Sequence, residues 1–231
     1  MIHFKPSLEQ QISELLQLQN KLQIISNDDK QITLAGSILV NRESKGFKLC
    51  KGYKVTIIIP LNTDEIPYVM DIGNHIENNY SHRYSDGKLC LETDTSIKVR
   101  FVEGFSIVEW LSDYVEPYYF TYEFHKRFGE FPFGERSHDW LGILETYSEL
   151  FQEEDLIKVI KIIKGISINR YCGYAPCYCG SSKELRWCHG PNIRRFYRDS
   201  RLKTIVHKDY QYILKVMNEY SGQQNNSKKT K

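Results

Sequence analysis

Three cysteines and one histidine stand close together in the last quarter of the chain, at Cys177, Cys179, Cys188 and His189. Thiolate sulfur and imidazole nitrogen are donors that Zn²⁺ prefers, and four of them fill a tetrahedral shell without an open position for a water. Gly180 follows the second cysteine and allows the turn that brings backbone amides close to the thiolates. The spacing predicts a structural zinc site on one tight hairpin, against the alternative of unliganded cysteines in a loop.

Cys90 is a second candidate for chemistry, as a nucleophile. It follows an Asp-Gly turn within residues 74–96, a stretch that is rich in Asn, Ser, Asp and Gly and has no hydrophobic period. Long irregular stretches in compact domains are usually functional or disordered, and a thiol placed there can attack an activated carbonyl. His82 lies in the same stretch. The alternative is that Leu89-Cys-Leu is a small buried strand in which the thiol only fills space.

The elements that must position Cys90 follow a simple order. Apolar residues at helical spacing predict a first helix over 7–25, with Ser7 as its N-cap. Three β-rich runs joined by short polar loops predict an antiparallel meander, over 32–40, 53–59 and 66–72. Helices return from Ser106 and again over 139–163, before the cysteine-rich hairpin and a basic helical tail. The fold class is therefore α+β.

Composition narrows the class of protein. Hydrophobic residues make up 41% and charged residues 26% of the chain, which excludes a disordered, collagenous or coiled-coil protein. No apolar run approaches the ~18 residues that a membrane span needs, and residues 1–6 lack the features of a signal peptide. We expect a soluble cytoplasmic protein with reduced thiols and no membrane contact. Cys172 lies outside the four-ligand set and is expected to pack, or to compete as a fifth ligand.

The segment Asp86-Gly-Lys-Leu-Cys-Leu-Glu resembles the active-site stretch of ubiquitin-conjugating enzymes, in which Gly-x-hydrophobic-Cys-Leu carries the thioester cysteine. It is most similar to divergent bacterial members of that superfamily, in which a histidine replaces the usual asparagine eight residues before the cysteine; here that position is His82. The resemblance covers about residues 7–120, including the order of elements. The chain departs from the eukaryotic members at two places. Their Tyr-Pro-x-x-Pro-Pro run is represented here only by Ile66-Pro, and their tryptophan soon after the cysteine is absent unless Trp110 replaces it.

This resemblance implies that Cys90 carries a ubiquitin-like modifier as a thioester and passes it to a lysine, in a bacterial conjugation pathway. His82 would then donate to the oxyanion, and Glu92 or Asp94 would orient or deprotonate the incoming lysine. The implied partners are an activating enzyme, the modifier and a target protein. The alternative is a non-catalytic adaptor that binds protein or nucleic acid, since inactive relatives keep the fold as binding modules.

A second resemblance covers residues 176–190. Pro-Cys-x-Cys-Gly-Ser, followed by a Cys-His pair that eight residues separate from Cys179, is similar to the SEC-C motif, which occurs at the C-terminus of the preprotein translocase motor and in many bacterial proteins. Together the two resemblances imply a UBC-like helix plus antiparallel meander sheet with flanking helices, then a helical segment and a small zinc knuckle. The corresponding domains are a UBC-like domain over 1–120, a helical linker over 121–165, a zinc-binding module with the basic tail over 166–220, and a disordered tail over 221–231.

The charge is divided unevenly along the chain. Residues 158–231 hold 16 Lys and Arg against 4 Asp and Glu, a balance of +12, whereas residues 1–157 hold the remaining 15 and 25, a balance of −10. Weak contact of the basic tail with nucleic acid is one interpretation, with Trp187, Phe196 and Tyr197 stacking on bases. Contact with an acidic protein is another. The simplest is a solvated helix face that offsets the acidic part. The aromatic turn Phe131-Pro-Phe-Gly-Glu-Arg-Ser-His has no chemistry assigned to it.

Overall fold

The computed structural model describes residues 2–227, with side chains described as far as residue 219. The chain divides into two compact units, each made of two segments. The first unit contains Met1–Glu92 and Glu103–Glu135, and the second contains Thr93–Val102 and Arg136–Lys231. A four-stranded antiparallel sheet lies in the first unit and helices predominate in the second, so the α+β class is confirmed. Within the described residues, no helix has both the length and the apolar composition needed to cross a membrane.

The first unit begins with helix α1 (Leu8–Leu18), capped by Ser7, whose hydroxyl accepts a hydrogen bond from the backbone of Gln10 at 3.4 Å. A sheet follows in which each strand pairs with the next along the chain. Its strands are β1 (Lys21–Asn27), β2 (Gln31–Ser44), β3 (Phe47–Pro60) and β4 (Tyr68–Asp71). The predicted meander is therefore present, with one strand more than the sequence indicated.

The prediction of a single helix over 7–25 is wrong beyond residue 18, because strand β1 occupies its last third. Leu22 fits either interpretation, since one apolar residue in a short run has no distinctive period. In the structure Leu22 is buried and pairs with Gly36 of β2. A Cβ on Gly36 would lie 2.0 Å from the carbonyl oxygen of Lys21, so the glycine permits the close approach of β1.

Strands β2 and β3 form a long hairpin in continuous register from Gln31↔Pro60 to Ser44↔Phe47. Lys45 and Gly46 form its two-residue turn with φ of 49° and 73°, as the type I′ turn requires. Alternate side chains of both strands are fully buried, among them Leu34, Ile38, Val40, Tyr53, Val55 and Ile57. This hairpin supplies much of the buried apolar face of the sheet.

The coil that carries Cys90 is fastened to the free edge of β4. The backbone of Leu89 donates to the carbonyl of Val69 at 2.9 Å, and Lys88 forms a bridge with Met70. After residue 103 the first unit ends in helices. They are α3 (Ile107–Trp110), one π-helical turn (Leu111–Val115) and α4 (Glu116–Phe128), and the predicted start at Ser106 is confirmed by its capping hydroxyl.

The second unit contains helices around one apolar core. Its early segment forms α2 (Asp94–Arg100), and its later segment contains α5 (Asp139–Phe151), α6 (Leu156–Ile168), a 3₁₀ turn (Leu185–Trp187), α7 (Gly190–Ile193), α8 (Arg195–Arg198) and α9 (Ser200–Ser227). The helix predicted over 139–163 is two helices, because Gln152 ends α5 at φ 57° and Asp155 caps α6 through hydrogen bonds from Ile157 and Lys158. The core includes Tyr147, Phe151, Ile162, Ile166, Phe196 and Val206.

These units divide the chain at other places than the predicted domain boundaries. Helix α4 continues through residue 120, and the predicted linker over 121–165 contributes the end of α4 to the first unit and α5 and most of α6 to the second. The predicted disordered tail, 221–231, is helical as far as Ser227, and residues 228–231 lie outside the described part of the chain.

Candidate metal centre and thiol site

The cysteine-rich hairpin is folded by its own backbone. The amide of Cys177 donates to the carbonyl of Lys183 at 2.8 Å, and Gly180, at φ 83°, donates to the carbonyl of Cys177 at 3.0 Å. The 3₁₀ turn then returns the chain, and the amide of Cys188 donates to the carbonyl of Leu185 at 3.1 Å. These bonds bring the two ends of the predicted ligand set to the same place.

The four predicted ligands do come together. Nδ1 of His189 lies 3.3 Å from Sγ of Cys177 and 3.3 Å from Sγ of Cys188, and the sulfurs of Cys179 and Cys188 are 3.7 Å apart. All four donor atoms lie within 4.8 Å of one another. A tetrahedral zinc with Zn–S of ~2.3 Å and Zn–N of ~2.0 Å has edges of about 3.8 Å between sulfurs and about 3.5 Å between sulfur and nitrogen. None of the six cysteines is joined in a disulfide, so the cluster can hold a metal ion.

Burial makes charge costly at this cluster. It raises the pKa of the Cys177 thiol to about 11, since a thiolate is poorly solvated there. Burial also acts to raise the pKa of Cys179, but hydrogen bonds with Ser181, Cys177 and Cys188 together outweigh it and the pKa is lowered. For His189 burial lowers the pKa, with Glu153 opposing the effect. A bound cation would reverse the penalty on the thiolates, because metal binding displaces their protons.

Glu153 is a site residue that the sequence did not reveal. Its Oε2 lies 3.4 Å from Nε2 of His189, and the two side chains are only 14% and 11% exposed. The imidazole therefore points Nδ1 at the sulfurs and Nε2 at a carboxylate, as histidine ligands of metals commonly do. Glu153 follows α5, far from the cysteines in the chain, and no motif connects them.

Two other predictions about this region are wrong. Cys172 does not pack: it is exposed and is not among the four clustered donors. It begins a turn that the amide of Ala175 closes by donating to its carbonyl at 3.1 Å. Phe196 cannot stack on a base, because it is fully buried in the core of the second unit. By contrast, Trp187 is 73% exposed.

Cys90 and His82 are brought together within the first unit. The amide of Cys90 donates to the carbonyl of His82 at 2.8 Å, and the same carbonyl accepts from the hydroxyl of Tyr118 at 3.0 Å. The Cys90 sulfur and a ring nitrogen of His82 lie within 4.8 Å. Leu89 is buried, whereas Cys90 is partly exposed and lies outside the strands. Cys90 is therefore a partly exposed residue whose sulfur lies beside an imidazole.

Glu135 is the second site residue that the sequence did not reveal. Its Oε1 lies 3.2 Å from Nε2 of His82, in the aromatic turn to which no chemistry was assigned. Phe131 of the same turn meets the His82 ring edge-on at 5.8 Å and stacks on His125 at 4.2 Å. The turn thus holds the imidazole from two sides. In space, the thiol of Cys90 lies beside the imidazole of His82, and the imidazole lies beside the carboxylate of Glu135. Sites that activate a nucleophile have the same kind of arrangement.

The two acidic residues considered as lysine-orienting groups belong to different units. Glu92 is partly exposed at the end of the first segment of the first unit. Asp94 begins α2 in the second unit, where it is exposed and forms an ion pair with Lys98 at 3.3 Å.

Neither a protein-family model, nor a curated protein, nor a solved structure matches this chain.

Proposed function

We propose that the first unit carries a ubiquitin-like modifier as a thioester on Cys90 and transfers it to a lysine, as a divergent bacterial UBC-like domain. The observation that supports this is a partly exposed cysteine whose sulfur lies within 4.8 Å of a ring nitrogen of His82, in a coil fastened beside an antiparallel meander. A helix, a meander, a coil with a cysteine and further helices are also the element order that the resemblance implies.

Two exchanges make up the proposed reaction. In loading, the Cys90 thiolate attacks the thioester carbonyl of the modifier on the activating enzyme, and the enzyme's own thiolate leaves. In discharge, a lysine amine attacks the new thioester, its proton passes to a base, and the Cys90 thiolate leaves as an amide bond forms. Both pass through an oxyanion that a donor can stabilise.

Glu135 limits how His82 can take part. Because the carboxylate lies at Nε2, any donation from the ring to the oxyanion comes from Nδ1 of the protonated imidazole. We therefore assign His82 as the oxyanion donor and Glu135 as the residue that positions it.

The test is incubation with the cognate activating enzyme, the modifier and ATP, read on a non-reducing gel. Wild-type protein is expected to gain an adduct that a thiol reagent removes, whereas Cys90→Ser is expected to form an adduct that survives, since an oxyester resists thiols. Cys50→Ser and Cys172→Ser remove exposed cysteines and are expected to load normally. If the wild type gains no thiol-sensitive adduct, the domain is a non-catalytic adaptor.

We also propose that the metal of the second unit is zinc with a structural role, in a hairpin of the SEC-C type. Three sulfurs and one imidazole at tetrahedral distances support this, because such a set leaves no position for a catalytic water. The thiols must stay reduced, which fits a cytoplasmic protein. Metal analysis is expected to give about one zinc per chain. A disulfide between Cys179 and Cys188 in protein purified under reducing conditions would contradict the proposal.

A further inference from the structure

An exposed stack of two aromatic rings and one arginine stands on the metal-binding hairpin. Tyr174 and Trp187 are 71% and 73% exposed, the highest values among the large hydrophobic side chains described. The guanidinium of Arg186 lies 4.0 Å from the centroid of the Tyr174 ring and 5.2 Å from that of Trp187. We call these three residues the aromatic platform. Single exposed rings are ordinary on protein surfaces; here the two most exposed rings contact one cation.

The hairpin presents this platform on a fixed backbone. The amide of Arg186 donates to the carbonyl of Gly173 at 2.9 Å, and the amide of Trp187 donates to the carbonyl of Glu184 at 3.0 Å. Glu184 also accepts from Nε of Arg186 at 2.6 Å, which fixes the plane of the guanidinium. Since Trp187 directly precedes the ligand Cys188, the metal cluster and the platform share one scaffold.

A second row of rings and cations occurs in the same region. Arg194 lies 5.9 Å from the ring centroid of Tyr171, the Tyr171 and Tyr197 rings meet edge-on at 5.4 Å, and Lys203 lies 5.7 Å from the Tyr197 ring. In the first row a cation lies between two rings, and in the second a cation stands at each end of a pair of rings. Groups of this kind attract one another by cation–π contact.

Charge is the third observation. Residues 170–203 contain eight Lys and Arg and two Asp and Glu, a balance of +6. Both acidic residues pair with an arginine of the same stretch, Glu184 with Arg186 and Asp199 with Arg201, each at 2.6 Å. Arg194, Arg195 and Arg198 are all exposed. The partner that fits is therefore an anion that also offers flat apolar faces.

We propose that the aromatic platform binds single-stranded nucleic acid, with bases stacked on Tyr174 and Trp187 and phosphates neutralised by the neighbouring arginines. Every base has a π-face, and proteins that bind single strands combine a basic surface with stacking rings. A duplex hides those faces inside its stack, and an acidic peptide supplies charge without them. This site lies in the second unit and does not depend on thioester chemistry at Cys90.

The test is fluorescence anisotropy with a fluorescein-labelled oligothymidylate of about 15 nucleotides, a length near the upper site size of single-strand binders. Wild-type protein is expected to bind, and Tyr174→Ala and Trp187→Ala are each expected to weaken binding about tenfold, the loss of one stacked base. Trp187→Phe keeps a ring and should retain most of the affinity. Phe133→Ala removes a ring that is 63% exposed from the first unit and should leave the affinity for the oligonucleotide unchanged.

The salt dependence of binding separates the contribution of ring stacking from that of phosphate neutralisation. Removing a ring should lower affinity without changing the slope of log affinity against log salt, whereas Arg194→Ala with Arg195→Ala should flatten that slope by up to about 1.4, or ~0.7 for each phosphate released. Zinc content is measured for every variant to show that the hairpin is intact. The proposal is overturned by any of three results: no binding at low salt, unchanged affinity after both ring substitutions, or equal affinity for a duplex or for polyglutamate.

Discussion

Replacing Glu153 by glutamine tests the carboxylate behind the metal cluster while keeping the shape of the side chain. Glu153 lies 3.4 Å from Nε2 of His189 and both side chains are largely shielded from water, so bulk solvent screens the contact little. Partners of this kind change metal affinity by roughly 10–100-fold. We expect Glu153→Gln to weaken zinc binding about 30-fold, which corresponds to ~2 kcal/mol.

The measurement is competition for zinc against a chromophoric chelator at neutral pH. Glu154→Gln is the matched control, since Glu154 is the next residue and is exposed. Glu153 also lies 3.6 Å from Lys158, so Lys158→Met shows what the loss of that ion pair contributes by itself. Both controls should stay within about threefold of wild type, as exposed charges contribute little. An unchanged affinity in Glu153→Gln would refute the assigned orientation of the imidazole.

Three further predictions concern the scaffold. Burial raises the pKa of Asp209 despite the hydrogen bond from Tyr147, so the folded state binds the proton more tightly than the unfolded state. The stability of the wild type therefore falls as the pH rises from 3.8 through the raised pKa. In urea denaturation, the free energy of unfolding of Asp209→Asn relative to wild type should rise over the same pH range. At a solvent-exposed helix position, Gly→Ala stabilises a protein by ~1 kcal/mol. At Gly165 the new Cβ would lie 2.4 Å from the Tyr178 ring, so calorimetry should show a lower Tm for Gly165→Ala than for the wild type. Leu34→Ala, at a fully buried position of the sheet, should cost about 2–5 kcal/mol in urea denaturation, and a loss below 1 kcal/mol would contradict the assigned core.

The parts of the fold that the sequence predicted were those with a local signal. Ser106 and the β-rich runs carry caps, periods and turn residues that act over a few positions. Strand β1 was missed because Leu22 and its neighbours satisfy a helical period as well as a strand, and only pairing with β2 decides between them. The break between α5 and α6 was missed because Gln152 in the left-handed region is not a residue that marks a helix end.

The residues of the candidate sites also divide into those that a local signal predicted and those that only the structure reveals. His189 was predicted because it stands next to Cys188 in the chain, and the pairing of His82 with Cys90 because both lie in one coil. Glu153 and Glu135 are brought to the two histidines by helix packing and by a distant turn. Contacts of that kind leave no spacing in the chain for sequence analysis to detect. The residues that hold the imidazoles are therefore visible only in the folded protein.

Helix α2 has a consequence for how this protein could be inherited or dissected. The chain passes between the two units after Glu92, after Val102 and after Glu135. Within the second unit, the hydroxyl of Thr95 in α2 donates to Asp209 at 2.8 Å and Val99 packs in the apolar core. A gene cut anywhere between codons 103 and 135 would encode this helix without its partners and expose its apolar side. Separating the metal-binding unit from the first unit therefore takes cuts at three places in the chain rather than one, because the segments of the two units interleave.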